Sequence, residues 1–416
     1  MGVRVAQKLE PEESREELGA GQIQHNSLGT RVCSSWEELK RLATAWDRIL
    51  QTTASLTAFS TPEWLGAWWK GFGHGKQLVA LVISDASSKV VGLAPLYEDP
   101  LQGPLGWRLR RLRLVGDGSE DSDNLDLIFR SGYEEACAQT LLDWLAQQSG
   151  WDLCELNTLP ANSVAADRLL RHLKARGWVH TIRQRSCSVV VLPDSWEAYL
   201  NQISKKERTK INYYMGRLQK RYQVCFHKCT ENAELATCLE SFFELHQKRW
   251  RLRGEQGSFS STSRREFYSE MARSFLARQW LEFWLLKLDG RIAAAQFGFR
   301  YGDAVFSLQE GFDPLYSSDR VGYLLRSYVL KQLIAAGVRR YDFLGGKDDS
   351  KERWGAQLTS YLDVDFAKPS SRGSLYIRLK HDANVTKEWL RAHLPSSAFS
   401  LLRRTYRRLH ATQVGL

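Results

Sequence analysis

The chain has 416 residues, 43% of them hydrophobic, 11% aromatic and 25% charged. This is enough apolar material for two or three folded domains, and it excludes both a single small module and a chain disordered throughout. The longest apolar stretches, such as Gln77 to Ile83, fall far short of the roughly 18 residues that cross a bilayer as a helix, and the acidic start, Glu10 to Glu17, carries no secretion signal. A cytoplasmic location is therefore expected.

Residues 1–27 read as a loose leader. Trp36 to Leu50 has helical periodicity, and a second helix begins at Thr61-Pro62-Glu63-Trp64, where Thr61 can cap and Pro62 suits the first turn. Gln77 to Ser84 and Lys89 to Tyr97 read as two strands around a short turn. Further strands are expected at Arg110 to Val115, Leu125 to Phe129, Asp152 to Leu156 and near Ser186 to Leu192, with helices at Tyr133 to Gln148 and Ser163 to Ala175. Past Leu192 come helices over Trp196 to Lys220, Ala233 to Arg251 and Arg264 to Ala277. A hairpin follows, Leu281 to Leu288 and Ile292 to Phe299, turning on Asp289-Gly290. A strand Ala304 to Gln309, a helix Val321 to Ala336 and a strand Arg340 to Leu344 complete the series. Hairpin matches hairpin, and helix-then-strand matches helix-then-strand, so a duplicated mixed α/β unit is inferred.

The seven cysteines lie at irregular spacings and suggest no disulfide framework. Cys225, His227 and Cys229 would share one face of a strand, but the paired spacing of a zinc site is missing, and no metal is expected. The formal charge of +11 is concentrated in two patches: seven basic residues against Glu207 between Ser204 and Arg221, and nine against Asp382 and Glu388 between Arg372 and Arg408. Such patches attract the phosphates of a cofactor, a nucleic acid or an anionic lipid surface, and they also occur on plain solvated helices. Ala398 to Leu409 suits a helix lying on a membrane surface or one docked on its own domain.

The segment richest in chemistry runs from Leu308 to Gly355. A strand ends in Gln309-Glu310-Gly311-Phe312-Asp313, a polar loop follows, and a helix opens at Val321-Gly322-Tyr323. The first amides of a helix lack internal partners and carry the positive end of its dipole, so a pyrophosphate can sit there, and Gly322 would let it come close. Asp319 is also an ordinary helix cap. Charged residues crowd the turn after Leu344, where α/β folds tend to place ligands.

The run His246-Gln247-Lys248-Arg249-Trp250 with Gly254 and Phe259, the pair Leu288 to Ala294, the Gly311-Phe312-Asp313-Pro314 turn, Gly322 with Leu324-Leu325, and Tyr341 to Gly345 with Lys351-Glu352-Arg353-Trp354-Gly355 together resemble the GNAT-type acyltransferases of the BioF2-like or CelD-like group. These are similar in fold to the FemAB aminoacyl transferases. In the first half, Phe59 to Leu65 with Trp68-Trp69, and Val91 to Tyr97, fit the same group.

The resemblance implies an α/β protein of mixed sheets built as tandem GNAT-like domains. These are an N-terminal domain over 28–185, a C-terminal domain over 186–368 carrying the active cleft, and a basic helical tail over 369–416. It implies transfer of an acyl (acetyl) group from acyl-CoA to an amine, without metal, the acceptor being by analogy an amino sugar or another cell-envelope or exopolysaccharide precursor. By position, Arg320, Val321, Gly322 and Tyr323 would hold the pyrophosphate, although Leu324 and Leu325 after Gly322 depart from the fuller glycine-rich signature. Lys351 would stabilise the oxyanion, Glu310 would act as base, and Arg249, Trp250 and Asp342 would shape the acceptor pocket. Two other readings stay open. The donor could be an aminoacyl-tRNA, with Lys205 to Arg221 on RNA phosphates; or the chain could be a non-catalytic adaptor of polysaccharide biosynthesis, peripheral to the inner face of the membrane through its basic tail.

Overall fold

The computed structural model describes residues 28–393 apart from 54, 104, 105, 253, 347 and 348; the leader 1–27 and Ala398 to Leu409 lie outside the described residues. The first half runs β1 (Gly29–Cys33), α1 (Trp36–Lys40), α2 (Ala43–Thr52), α3 (Pro62–Phe72), β2 (Gln77–Ser84), β3 (Val90–Gln102), β4 (Arg108–Leu114), β5 (Ile128–Phe129), α4 (Glu134–Gln147), β6 (Leu153–Pro160), α5 (Val164–Ala175) and β7 (Val179–Val191). The second runs α6 (Trp196–Gln202), α7 (Lys205–Arg221), β8 (Val224–Lys228), α8 (Asn232–Arg251), α9 (Thr262–Ala277), β9 (Leu281–Leu288), β10 (Arg291–Tyr301), β11 (Ala304–Phe312), α10 (Val321–Ala335), β12 (Arg340–Gly345), α11 (Asp349–Glu352), β13 (Gln357–Ala367) and α12 (Arg372–His393).

Local chemistry explains many of these boundaries. Thr61 caps α3, its hydroxyl accepting from the Trp64 amide at 3.2 Å, with Pro62 in the first turn. The single helix expected over Trp36 to Leu50 is two, because the Leu42 amide bonds back to the Leu39 carbonyl and breaks the α-helical ladder. The helix expected over Trp196 to Lys220 is also two. Ser204 is extended and its hydroxyl accepts from the Glu207 amide, starting α7 afresh. Of the strand expected over Leu125 to Phe129 only β5 forms.

The strands make one mixed sheet in the order β1-β2-β3-β4-β6-β13-β7-β12-β11-β10-β9-β8. Each half repeats one plan: three antiparallel pairings, then a parallel pair, β4 with β6 and β11 with β12. The last strand of each half then crosses over. β7, which follows the first half in the chain, pairs with β12 of the second; β13, which follows the second, pairs with β6 of the first. β7 and β13 pair with each other from Gln357↔Val189 to Ala367↔Val179, forming the seam. The core also crosses the seam: Trp64 of α3 packs its ring on Phe267 and Phe275 of α9 and Phe299 of β10. The described part of the tail, α12, docks on the sheet, where Lys380 pairs with buried Glu155 at 3.1 Å and buried Asp365 at 2.9 Å. Among the described residues no helix is long and apolar enough to cross a membrane.

Candidate functional site

β11 and β12 are parallel partners only as far as Phe306↔Asp342, yet β11 continues to Phe312 and β12 to Gly345. The strands therefore splay apart and leave a V-shaped opening at their carboxyl ends. On one side of this opening lies a cleft of about 340 Å³ lined by the start of α10 (Arg320 to Tyr323), by Glu310, Gly311 and Phe312 of β11, and by Ser350, Arg353 and Trp354.

The start of α10 is open. Arg320, in the left-handed region at φ 56°, is its N-cap, and no side chain caps the helix or places an acidic group in its first turn. Asp319 could have capped it, but its buried carboxylate turns to α7, where it pairs with Arg221 and Arg217 and accepts from the Tyr222 hydroxyl at 3.3 Å. The amides of the first turn are thus left for a ligand, and the dipole favours an anion there. A Cβ on Gly322 would meet nothing nearer than Phe312 at 3.7 Å, so the approach is clear. Four arginines line the cleft, Arg249, Arg320, Arg326 and Arg353, against Glu310. Arg326 is bidentate on one Glu310 oxygen, its Nε at 2.9 Å, and lies 5.0 Å over the Phe343 ring. Tyr323 donates to Glu207 at 2.9 Å, and burial, helped by that bond, pushes its phenol far up, so it stays a neutral donor. Helix α8 also lies tight on this strand: a Cβ on Gly311 would fall 2.5 Å from the His246 amide nitrogen, where α8 crosses β11.

On the other side of the opening is a larger cavity of about 810 Å³. Leu308 and Gln309 of β11, Phe343 to Gly345 of β12 and Gly346 after it form one wall; the loop after β4, with Asp117, Asp121 and Asp123, forms another, and Arg183, Arg185 and Asp363 the floor. This loop fills the position after β4 that α10 holds after β11, so the first half presents carboxylates where the second presents helix amides. Two of them are matched by arginines, Asp117 with Arg113 at 2.8 Å and Asp121 with Arg264 at 2.9 Å. Trp64 and Trp68 hold the loop through bonds to Ser122 and Ser119. Asp126 in the same loop is wholly buried, which pushes its carboxyl up to about 7 against the hydrogen bonds from Ser163 and the Leu127 amide. Its folded-state value lies above the unfolded one, so its contribution is complete below about pH 4 and is lost as pH rises to about 7. Asp126→Asn is therefore expected to stabilise the protein by a few kcal/mol at pH 8 and to change little at pH 4. Urea titrations at the two pH values check this; an equal gain at both would show that the carboxyl is not held neutral.

The structure gathers several residues singled out from the sequence and separates others. Arg320, Val321, Gly322, Tyr323, Glu310 and Arg249 line the one cleft. Arg249 also donates to the Glu310 carbonyl at 3.1 Å, and Trp250 donates from its indole to His246 Nε2 at 2.9 Å. Lys351 turns its ammonium to the end of β12, donating to the carbonyls of Leu344, Gly345 and Gly346 at 3.2, 2.7 and 3.0 Å. Ser350 beside it in α11 and Arg353 just after the helix line the cleft. Asp342 points to the opposite face of β12, into a third cavity of about 680 Å³. Arg326 and Arg353 were missed by the sequence reading. Arg326 had a signal: it is the first charge in an apolar helix and stands four residues after Gly322, hence on the same face. Arg353 and Ser350 had none beyond a charged turn. Among the described residues no three His, Cys, Asp or Glu side chains are grouped to hold a metal ion; His227 instead meets Glu234 at 2.6 Å.

Residues 205–352 match the acetyltransferase (GNAT) domain. The match takes in α7 to α11 and so all of the cleft lining except Arg353 and Trp354. Of solved structures, FemX superposes with a TM-score of 0.54 at 13% identity, covering 81% of this chain and 96% of FemX. A conserved protein of unknown function from Bacteroides thetaiotaomicron VPI-5482 superposes with a TM-score of 0.51 at 12% identity, covering 78% of this chain and 97% of that one. At such identities the likeness is one of fold. No curated protein matches the chain. The chain has a GNAT-type acyltransferase fold of mixed α/β sheets, with its opened parallel strands in the second half.

Proposed function

We propose that this protein is an N-acyltransferase of the BioF2-like group that moves an acyl group from acyl-CoA to an amine. The observation that carries this reading is the uncapped start of α10 inside a cleft lined by four arginines. Backbone amides and guanidinium groups suit the pyrophosphate and the 3′-phosphate of the coenzyme, and the chain supplies them in the arm where strands β11 and β12 part. The acyl thioester would lie in the opening, with Arg326 and Phe343 at its edge, and the amine would reach it from the 810 Å³ cavity. The acceptor we favour is an amino sugar or another cell-envelope precursor, since that cavity is lined by both carboxylates and arginines and so suits a polar molecule carrying a cation and an anion.

The basic helix α7 argues for a coenzyme rather than an RNA donor. Arg217 and Arg221 are committed to Asp319, Lys210 to Glu207, and Arg208 to the Leu200 carbonyl and Asn201. Much of that charge braces the start of α10 instead of facing a polyanion. Gly322→Ala tests the donor site. Its Cβ has room, and alanine favours a helix over glycine by up to about 1 kcal/mol, so stability should hold or rise. The methyl group stands between amides and phosphate, and calorimetry with acetyl-CoA should show roughly tenfold weaker binding, about 1.4 kcal/mol. Unchanged affinity would remove the helix start from the donor site.

A further inference from the structure

The splayed strands need a group to take the proton of the attacking amine, and Glu310, which the sequence nominates, is already bound by Arg326. Among the carboxylates of the acceptor-side cavity, Asp117 and Asp121 are matched by arginines, and Asp363 accepts from the Thr158 amide with Arg183 and Arg185 nearby. Asp123 differs. It comes from the first half, yet one of its oxygens accepts the Gly345 amide at the end of β12 at 2.9 Å, a contact 222 residues apart in the chain. Among the described residues no cation pairs with it directly. Its neighbour Asp342 accepts the preceding amide, Leu344, at 2.7 Å. Two carboxylates are thus seated on consecutive amides at the end of β12, Asp123 on the side of the acceptor cavity and Asp342 on the opposite face. Leu344 between them holds φ at 62°, a conformation a branched residue keeps only when its surroundings impose it. Lys351 secures the same segment through its three carbonyls.

Resting on the acyltransferase reading, we infer that Asp123 is the proton acceptor for the amine, and that Asp342 tunes it. The amine attacks the thioester carbonyl and the new C–N bond forms. The surplus proton on nitrogen passes to the Asp123 carboxylate. The C–S bond breaks with its electron pair on sulfur, and the thiolate is protonated from Asp123 or water. A base for this step works best when its affinity for the proton is high enough to hold it near neutral pH. The surroundings provide that: burial raises both carboxyls and the Asp123 charge raises Asp342 further, a like-charge repulsion that acts back on Asp123, against the opposing pull of Lys351 on both, the Gly345 amide, Arg185 and the Tyr361 hydroxyl on Asp123, and the Leu344 amide and Arg340 on Asp342. The Tyr361 hydroxyl faces Asp123 from β13 and lies beside Cys187. The division of labour also gives the first half a part in the chemistry: its acidic loop supplies the base and the second half supplies the donor site.

The experiment uses the full chain, acetyl-CoA and an amine panel of glucosamine, spermidine and lysine, with released coenzyme followed as free thiol. In Asp123→Asn the amide oxygen can still accept from Gly345, so folding and acetyl-CoA affinity should be unchanged while kcat falls about a hundredfold or more at every pH. Retention of kcat within a few-fold overturns the assignment. Asp342→Asn removes the neighbouring negative charge, so the limb on which kcat/KM rises with pH should move to lower pH with its plateau kept. An unmoved limb overturns the role of Asp342, and decides against the pair should Asp123→Asn fail to fold. A wild-type protein that binds no acetyl-CoA and acylates no amine refutes the acyltransferase reading itself, and this assignment falls with it; a wild-type protein active beside an equally active Asp123→Asn refutes only the assignment.

Discussion

Replacing Arg326 by methionine should cost the protein about 3–5 kcal/mol and abolish acyl-CoA binding together. The guanidinium lies over the rings of Phe343 and Trp354, at 5.0 and 5.7 Å, and is bound to Glu310, with 16% of its side chain exposed against 19% for Glu310. Methionine can fill the space but leaves the Glu310 carboxylate without its partner in a low-dielectric site, and that uncompensated charge is the larger part of the penalty. The double variant Arg326→Met, Glu310→Gln should recover most of the stability and none of the binding. Urea unfolding and calorimetry on the same samples separate the two effects. If the single variant binds acetyl-CoA normally, Arg326 belongs to the frame and not to the donor site.

Trp64→Ala should destabilise the protein by about 3–5 kcal/mol through the cavity it opens. The indole contacts Phe59 of its own half, and Phe267, Phe275 and Phe299 of the other, at ring distances of 4.5 to 6.2 Å, and its Nε1 donates to Ser122 at 2.9 Å. Because this cluster and the exchanged strands β7 and β13 join the halves, both should unfold in one transition, at lower urea than in the wild type. Tryptophan fluorescence and far-ultraviolet circular dichroism should follow superimposable curves. Two separate transitions would show that the seam is weaker than its packing implies. The same variant frees the acidic loop, so any amine acylation should fall more than acetyl-CoA binding does.

What the sequence determined by itself is what short-range physics controls. The hairpin on Asp289-Gly290, the Thr61-Pro62 start of α3 and the helix opening at Val321 depend on turn chemistry, capping and apolar period, and these act within a few residues. The cleft at the start of α10 was readable because strand, loop, glycine and helix succeed one another in sixteen residues from Ser307 to Gly322. The breaks at Leu42 and Ser204 escaped notice because the apolar period continues across them, while a hydrogen bond and a cap interrupt the backbone ladder.

Only the tertiary structure could decide which carboxylates are committed and which stand ready. Asp319 has the sequence of a cap and the contacts of an anchor, because Arg217 and Arg221, about a hundred residues earlier, outbid three local amides for it. Asp123 meets Gly345 only because strands from opposite halves pair along the seam, and no pattern in either segment encodes that meeting. Charge pairing and burial depend on neighbours brought together by the exchange of β7 and β13, so the carboxylates proposed for the chemistry were the ones least legible in the chain.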